Sequence, residues 1–196
     1  YCYKERSQKK DRPNFIDLFC GAGGFSLGFV QEGFVPSFAC DIEPACIETY
    51  RFNHPNVESK YIINQDIELI KDDIYAYLDN KSVDIVIGGP PCQGFSMANR
   101  QRLIDDPRNK LYKAFVEIVS STNPKFFIME NVKGMLSVAE QVKEDFRAIG
   151  YSVECHILNA KNFGVPQNRE RLIYIGNCMG VDNEQIFNEI FALSEN

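Results

Sequence analysis

A chain of 196 residues suits one domain with a substantial core, and its make-up, 44% hydrophobic and 24% charged, is that of an ordinary globular protein. No apolar stretch is long enough to span a bilayer and no signal-peptide pattern opens the chain, which argues against membrane-spanning and secretory classes. The net charge of −6 is the wrong sign for a surface built throughout to meet phosphates, so any nucleic-acid contact must be local.

The seven cysteines (Cys2, Cys20, Cys40, Cys46, Cys92, Cys155 and Cys178) are odd in number and form no CxxC pair. Neither a complete disulfide framework nor a zinc site is suggested, and reduced thiols in a cytoplasm or nucleus are the simpler expectation. Residues 1–13 read as a mobile basic arm, and the missing initial Met suggests a processed or trimmed chain.

The first predicted strand runs from Asn14 to Phe19, followed by the turn Cys20–Gly24 and a short helix over 25–32 stopped by Gly33. Strand, glycine turn and helix make the entrance of a nucleotide-type site, although Ser26 stands where a GxGxxG pattern has its third glycine. A second strand from Val35 to Cys40 ends in Asp41, roughly 20 residues after the turn, where an acid would hold ribose hydroxyls. Pro44 opens a helix with Cys46, Ile47 and Tyr50 on one face. A third strand, Tyr61–Ile63, leads to Asp66. That residue doubles as N-cap of a predicted helix over 67–78, whose Ile67, Ile70, Ile74, Tyr77 and Leu78 share a face.

The apolar run Val83, Ile85, Val86 and Ile87 predicts a buried strand that must stop at Gly88-Gly89-Pro90-Pro91. Cys92 therefore follows the C-terminal end of a predicted parallel strand, the edge where ligands gather in open α/β sheets. A free cysteine is most often a small buried hydrophobe, but these flanks suit an exposed loop. From Asn99 to Lys110 four basic residues (Arg100, Arg102, Arg108, Lys110) stand against Asp105 and Asp106. The stretch before the next helix is long for a structureless connection and reads as a functional lid.

Asp106 and Pro107 are start signals for a helix bearing Leu111, Phe115, Ile118 and Val119. Lys125–Met129 is the next strand, delivering Glu130 to the same edge as Cys92. Ser137 and Glu140 have capping-box spacing for a helix continuing through Val142 and Phe146 to Ile149. Tyr151, Val153, Cys155 and Ile157 alternate with polar residues, predicting a strand with one wet face. Gln167, Arg169 and Arg171 precede a strand over Leu172–Ile175, and the two arginines share a face at period two. A last helix, 182–193, carries Ile186, Phe187, Ile190 and Phe191.

GPPCQGFS, FIDLFCGAGGFSLGF, the tripeptide Glu130-Asn131-Val132 and the QxRxR run from Gln167 to Arg171 stand in the order of the cytosine-C5 DNA methyltransferases, which this chain strongly resembles from Asn14 to Gly176. The resemblance implies an α/β, Rossmann-like S-adenosyl-L-methionine-dependent methyltransferase fold: a mostly parallel sheet with an antiparallel strand near the C-terminus. It implies a cofactor site formed by Phe19, Gly21, Gly23, Gly24, Asp41, Ile42, Asp66 and Pro90, with Asp41 at the ribose, Ile42 against the adenine and Asp66 on its amino group. It implies Cys92 as nucleophile on C6 of a flipped cytosine, Glu130 at N3 and N4, Arg169 at O2 and Arg171 as support. Gln93, Ser96, Arg100 and Gln167 are implied as substrate contacts. Asp41 and Ile42 depart from the Glu and large aromatic common there. No metal is implied.

By the same resemblance residues 14–180 form the catalytic domain, and 181–196 a helical tail leading to an absent target-recognition region and final motif, as in a truncated or split enzyme. The partner is double-stranded DNA, with a further region or subunit carrying target recognition. Three other readings stay open: an RNA (tRNA) cytosine methyltransferase, a cofactor-binding subunit that needs a partner chain, and a nicotinamide-dependent oxidoreductase suggested by the glycine turn alone.

Overall fold

The computed structural model describes residues 12–91 and 109–194. Seven strands form one sheet in the order β3-β2-β1-β4-β5-β7-β6. They are β1 (Asn14–Leu18), β2 (Val35–Asp41), β3 (Ile62–Asn64), β4 (Ile85–Gly88), β5 (Phe126–Val132), β6 (Ser152–Asn159) and β7 (Glu170–Asn177). The first five pair in parallel, and β7 runs antiparallel to both β5 and β6. β4 lies mid-sheet and every one of its residues is buried, as its unbroken apolar run requires. The parallel strands all point their C-terminal ends to one edge, and the chain order reverses between β1 and β4 there, the place where such sheets bind ligands.

Helices cover both faces: α1 (Gly24–Gln31), α2 (Pro44–Asn53), α3 (Ile74–Tyr77), α4 (Lys110–Thr122), α5 (Ala139–Arg147) and α6 (Asn183–Ser194). The main core joins Ile16, Leu18, Val86 and Phe127 of the sheet to Phe115 and Ile118 of α4 and Val142 and Phe146 of α5. Across the sheet, Phe15, Ile85 and Ile87 pack on Phe25 and Phe29 of α1. Ile47 and Tyr50 of α2 pack on Ala39 and Ile62.

Four local expectations are corrected. Phe19 is not in β1; its φ of 61° turns the chain out of the sheet one residue early. Residues 67–78 are two 3-10 turns, Ile67–Leu69 and Lys71–Asp73, followed by the single turn of α3. Asp72 and Asp73 sit mid-run, where a short polar side chain favours breaks over helix, and Asp73 has the non-helical φ of −130°. The apolar face survives, because Ile67, Ile70, Ile74 and Leu78 are all buried. Ser137 caps nothing: its hydroxyl donates to Gly134 O at 2.9 Å within a 3-10 turn, and α5 starts at Ala139 with Val138 before it. The second face of β6 is half-covered rather than fully wet: Ser152 is exposed, and Glu154, His156 and Leu158 are half-buried. His156 packs on Phe187 of α6, ring centroids 4.6 Å apart, and pairs with Glu184 at 3.1 Å. α4 is preceded by Asn109, while Asp106 and Pro107 lie outside the described residues.

Candidate active site

The turn after β1 strings together left-handed residues: Phe19 at φ 61°, Gly21 at 53° and Gly23 at 86°. Such backbone suits glycine and strains phenylalanine, so something must hold it. Asp41, at the end of β2, accepts Gly21 N–H on Oδ2 and Glu43 N–H on Oδ1, both at 2.9 Å. Gly23 N–H donates to Cys20 O at 2.9 Å. The amides of both glycines are thus engaged within the fold and make no nest for a diphosphate. Asp66 caps the turn after β3, accepting Glu68 N–H at 3.0 Å.

Between these strand ends lies a cavity of about 360 Å³ walled by Phe19, Asp41, Ile42, Asp66, Pro91 and Leu111. Ile42 is 63% exposed, an apolar side chain with a free face at the mouth. Apolar walls with two carboxylates at the ends of β2 and β3 fit an uncharged nucleoside, its ribose hydroxyls and base amino group donating to acids. Of the implied cofactor residues, Phe19, Asp41, Ile42 and Asp66 line this cavity. Gly21 supports it through Asp41, Gly24 faces a neighbouring cavity, and Pro90 lies at a third. Gln65, Lys110 and Leu111 also line the cleft. Leu111 reads in the sequence only as a core residue of α4, since its periodicity carries no sign of a ligand.

β4 ends at Gly88, where an added Cβ would stand 2.4 Å from Leu18 O, so the two strands can approach only with glycine there. The exit peptide is then clamped from β5. Asn131 Nδ2 donates to Pro90 O at 2.9 Å, and its Oδ1 accepts Val132 N–H at 2.9 Å. Sequence reasoning gave Asn131 no role, although its place inside the Glu130-Asn131-Val132 tripeptide marks it. Glu130 Oε1 forms an ion pair with Arg171 Nε at 2.6 Å, with Arg169 at 3.9 Å. A Cβ on Gly89 would come within 3.0 Å of Glu130 Oε2, so the second carboxylate oxygen faces the exit loop.

Antiparallel pairing of β7 on β5, Val132 opposite Arg171 and Glu130 opposite Ile173, brings the arginines to this edge. A cavity of about 310 Å³ is lined by Pro90, Pro91, Glu130, Asn131, Arg169 and Arg171. A larger one, about 940 Å³, runs from Phe19 and Phe25 past Glu130 to Ile190 and Leu193 of α6. Gly89 lines all three cavities, so they adjoin along one edge of the sheet. Gln167 is exposed in the bend before β7 and lines none of them. Cys92, Gln93, Ser96 and Arg100 lie outside the described residues. Among the described residues no cluster of His, Cys, Asp or Glu could hold a metal, and no helix is long and apolar enough to cross a membrane.

A mostly parallel sheet with an antiparallel strand near the C-terminus, a cleft with two carboxylates at its switch point and a carboxylate–guanidinium pair beside it belong to the Rossmann-like methyltransferase class of fold. A family model described as C-5 cytosine-specific DNA methylase matches residues 13–195. The chain belongs to that family. It is 46% identical over 170 residues to the type II methyltransferase M1.HphI of Haemophilus parahaemolyticus, covering 83% of this chain and 45% of that protein. It is 39% identical over 181 residues to the type II methyltransferase M.AquIA of Picosynechococcus sp., covering 84% and 72%. A solved structure described as a prophage-encoded DNA modification methyltransferase of E. coli superposes with a TM-score of 0.72 at 33% identity, over 88% of this chain and 49% of that one. The S. pombe Dnmt2 methyltransferase shares the fold, with a TM-score of 0.67 at 22% identity. The chain spans less than half the length of the first curated relatives it matches, 45% and 40%.

Proposed function

We propose that the protein transfers a methyl group from S-adenosyl-L-methionine to C5 of a flipped-out cytosine in double-stranded DNA, through a covalent bond between Cys92 and C6. One observation carries this reading: Glu130, held by Arg171 and flanked by Arg169, faces the Gly89-Pro90-Pro91 exit that immediately precedes Cys92 in the chain. S-adenosylmethionine, when bound, supplies an electrophilic methyl group. The protein's task is to make C5 nucleophilic. Addition of the Cys92 thiolate at C6 pushes electrons toward C5, N3 and the ring carbonyl. Glu130 hydrogen-bonds N4 and N3, and Arg169 binds O2, stabilising that charge as it develops. Arg171 orients Glu130. Loss of the C5 proton then re-forms the double bond and expels Cys92. Inside a duplex N3 is base-paired and the ring faces at C5 and C6 are covered by stacking, so the cytosine must leave the stack.

The cofactor assignment rests on the apolar walls of the cleft and its two carboxylates, Asp41 and Asp66. The engaged amides of Gly21 and Gly23 leave no diphosphate cradle, which disfavours a nicotinamide dinucleotide there. Phe19, Asp41, Ile42 and Asp66 would hold the nucleoside, residues 14–180 would form the catalytic unit, and bacterial type II relatives support a cytoplasmic site of action. The test is transfer of labelled methyl to mixed-sequence duplex DNA, with tRNA in parallel and Cys92→Ala as control. Label in DNA, lost in the control while cofactor binding persists, is the expected result. Label in tRNA alone would reassign the substrate, and methylation by Cys92→Ala near the parent rate would remove the nucleophile.

A further inference from the structure

The glycine turn is also held from α2, by side chains that line none of the cavities described above. Tyr50, Asn53 and His54 follow one another at i, i+3 and i+4 at the end of α2, so they share one edge of that helix. Asn53 Nδ2 donates to Ala22 O at 2.8 Å. His54 Nε2 lies 3.0 Å from Gly23 O; a carbonyl only accepts, so that nitrogen carries the proton. The Tyr50 hydroxyl meets Ser26 Oγ at 2.8 Å, and Ser26 donates to Asp17 Oδ2 at 2.6 Å. The Tyr50 and His54 rings lie 4.4 Å apart. A Cβ on Gly23 would stand 2.4 Å from His54 Nε2, so the turn and the imidazole are in direct contact.

None of the three side chains lines any of the cavities at the ligand edge. They nevertheless occupy two consecutive carbonyls and the hydroxyl at the start of α1. A run of left-handed residues that includes Phe19 is held only where its surroundings over-determine it.

We propose that Tyr50, Asn53 and His54 are positioning residues for cofactor binding: Asn53 and His54 hold the carbonyls of Ala22 and Gly23 toward α2, Tyr50 anchors Ser26 at the start of α1, and together they preset the turn that places Phe19 and Asp41 around the nucleoside. The inference rests on the S-adenosylmethionine reading of the cleft. A preset turn spares the ligand the cost of ordering it, so losing one clamp weakens binding without touching a ligand contact.

The experiment is calorimetric titration of S-adenosylmethionine into the protein and into Asn53→Ala, His54→Ala and His54→Gln, with thermal melts and amide exchange of the ligand-free forms. Asn53 is exposed, so its truncation spares the core. Each alanine variant is expected to bind roughly three- to tenfold more weakly, the worth of one hydrogen bond. Exchange at Gly21 and Gly23 quickens, KM for the cofactor rises and kcat at saturation stays near the parent value. His54→Gln, which keeps an N–H donor, recovers most of the affinity. Folded alanine variants that bind as tightly as the parent would overturn the inference and leave the cofactor reading standing. A parent protein that binds no S-adenosylmethionine would overturn both.

Discussion

Asp17 is the most unusual single residue in the fold. It is 1% exposed within β1 and is hydrogen-bonded by both the hydroxyl and the backbone of Ser26. Burial pushes its carboxyl from 3.8 up to about 7, the Ser26 hydrogen bonds offset part of this, and the Asp41 charge adds to it. The consequence for stability has a definite sign. Below about pH 4 the group is neutral in both folded and unfolded chains and costs nothing. As pH rises toward 7 the unfolded chain releases its proton first, so stability falls across that window and levels off above it. The full cost of the buried charge is on the order of 4 kcal/mol. Asp17→Asn keeps an acceptor for Ser26 and removes the titration. Urea unfolding of the two proteins from pH 4 to 8 should show the parent losing ground to the variant up to about pH 7 and no further. Parallel curves would mean that Asp17 is not the titrating group.

Elements obey packing before they obey propensity, and β7 shows how tightly. Gly176 pairs with Phe127 of β5, and a Cβ there would lie 2.0 Å from the Phe127 ring. Phe127 cannot yield, because it stacks on Phe146 at 4.0 Å and is edge-on to Phe115 and Tyr151. Gly176→Ala should therefore cost about 1–3 kcal/mol, read as a lower urea midpoint with an unchanged slope. Nothing in the sequence marks Gly176 as different from Gly150, whose added Cβ would meet nothing, because the constraint comes from another strand. The strands were legible for the opposite reason. β4 is a buried apolar run, and β1, β2 and β5 carry apolar stretches bounded by glycine, proline or acids, signals carried by the segments themselves. The break within residues 67–78 and the uncapped start of α5 were not legible, since isoleucine spacing and a Ser-x-x-Glu pattern fit several backbones. The site divides the same way. Asp41, Asp66, Glu130 and the arginines could be placed because each ends or borders a strand. Asn131, Leu111 and the clamp on α2 act through contacts that chain order does not display.

Across the molecule the two edges of the sheet carry different loads. The N-terminal edge is closed by Asp84, which pairs with Lys125 at 2.7 Å and accepts Asn14 N–H at 2.9 Å, tying β4, β5 and β1 together below the core. The C-terminal edge gathers Asp41, Asp66 and Glu130 around adjoining cavities. A parallel sheet separates these edges by the full length of its strands, so a change at one reaches the other only through global stability. Asp84→Asn should lower stability by about 1 kcal/mol, a small value because Lys125 is 60% exposed. It should leave cofactor affinity and single-turnover methyl transfer unchanged at temperatures where the protein is folded. Glu130→Gln should do the reverse, leaving the melting temperature nearly in place while methyl transfer slows by about 10²-fold or more. Measured together, the two variants separate scaffold from chemistry. Methyl transfer lost in Asp84→Asn without unfolding would show that the edges are coupled. An unaltered rate in Glu130→Gln would remove the carboxyl from the reaction and leave its pairing with Arg171 as scaffold alone.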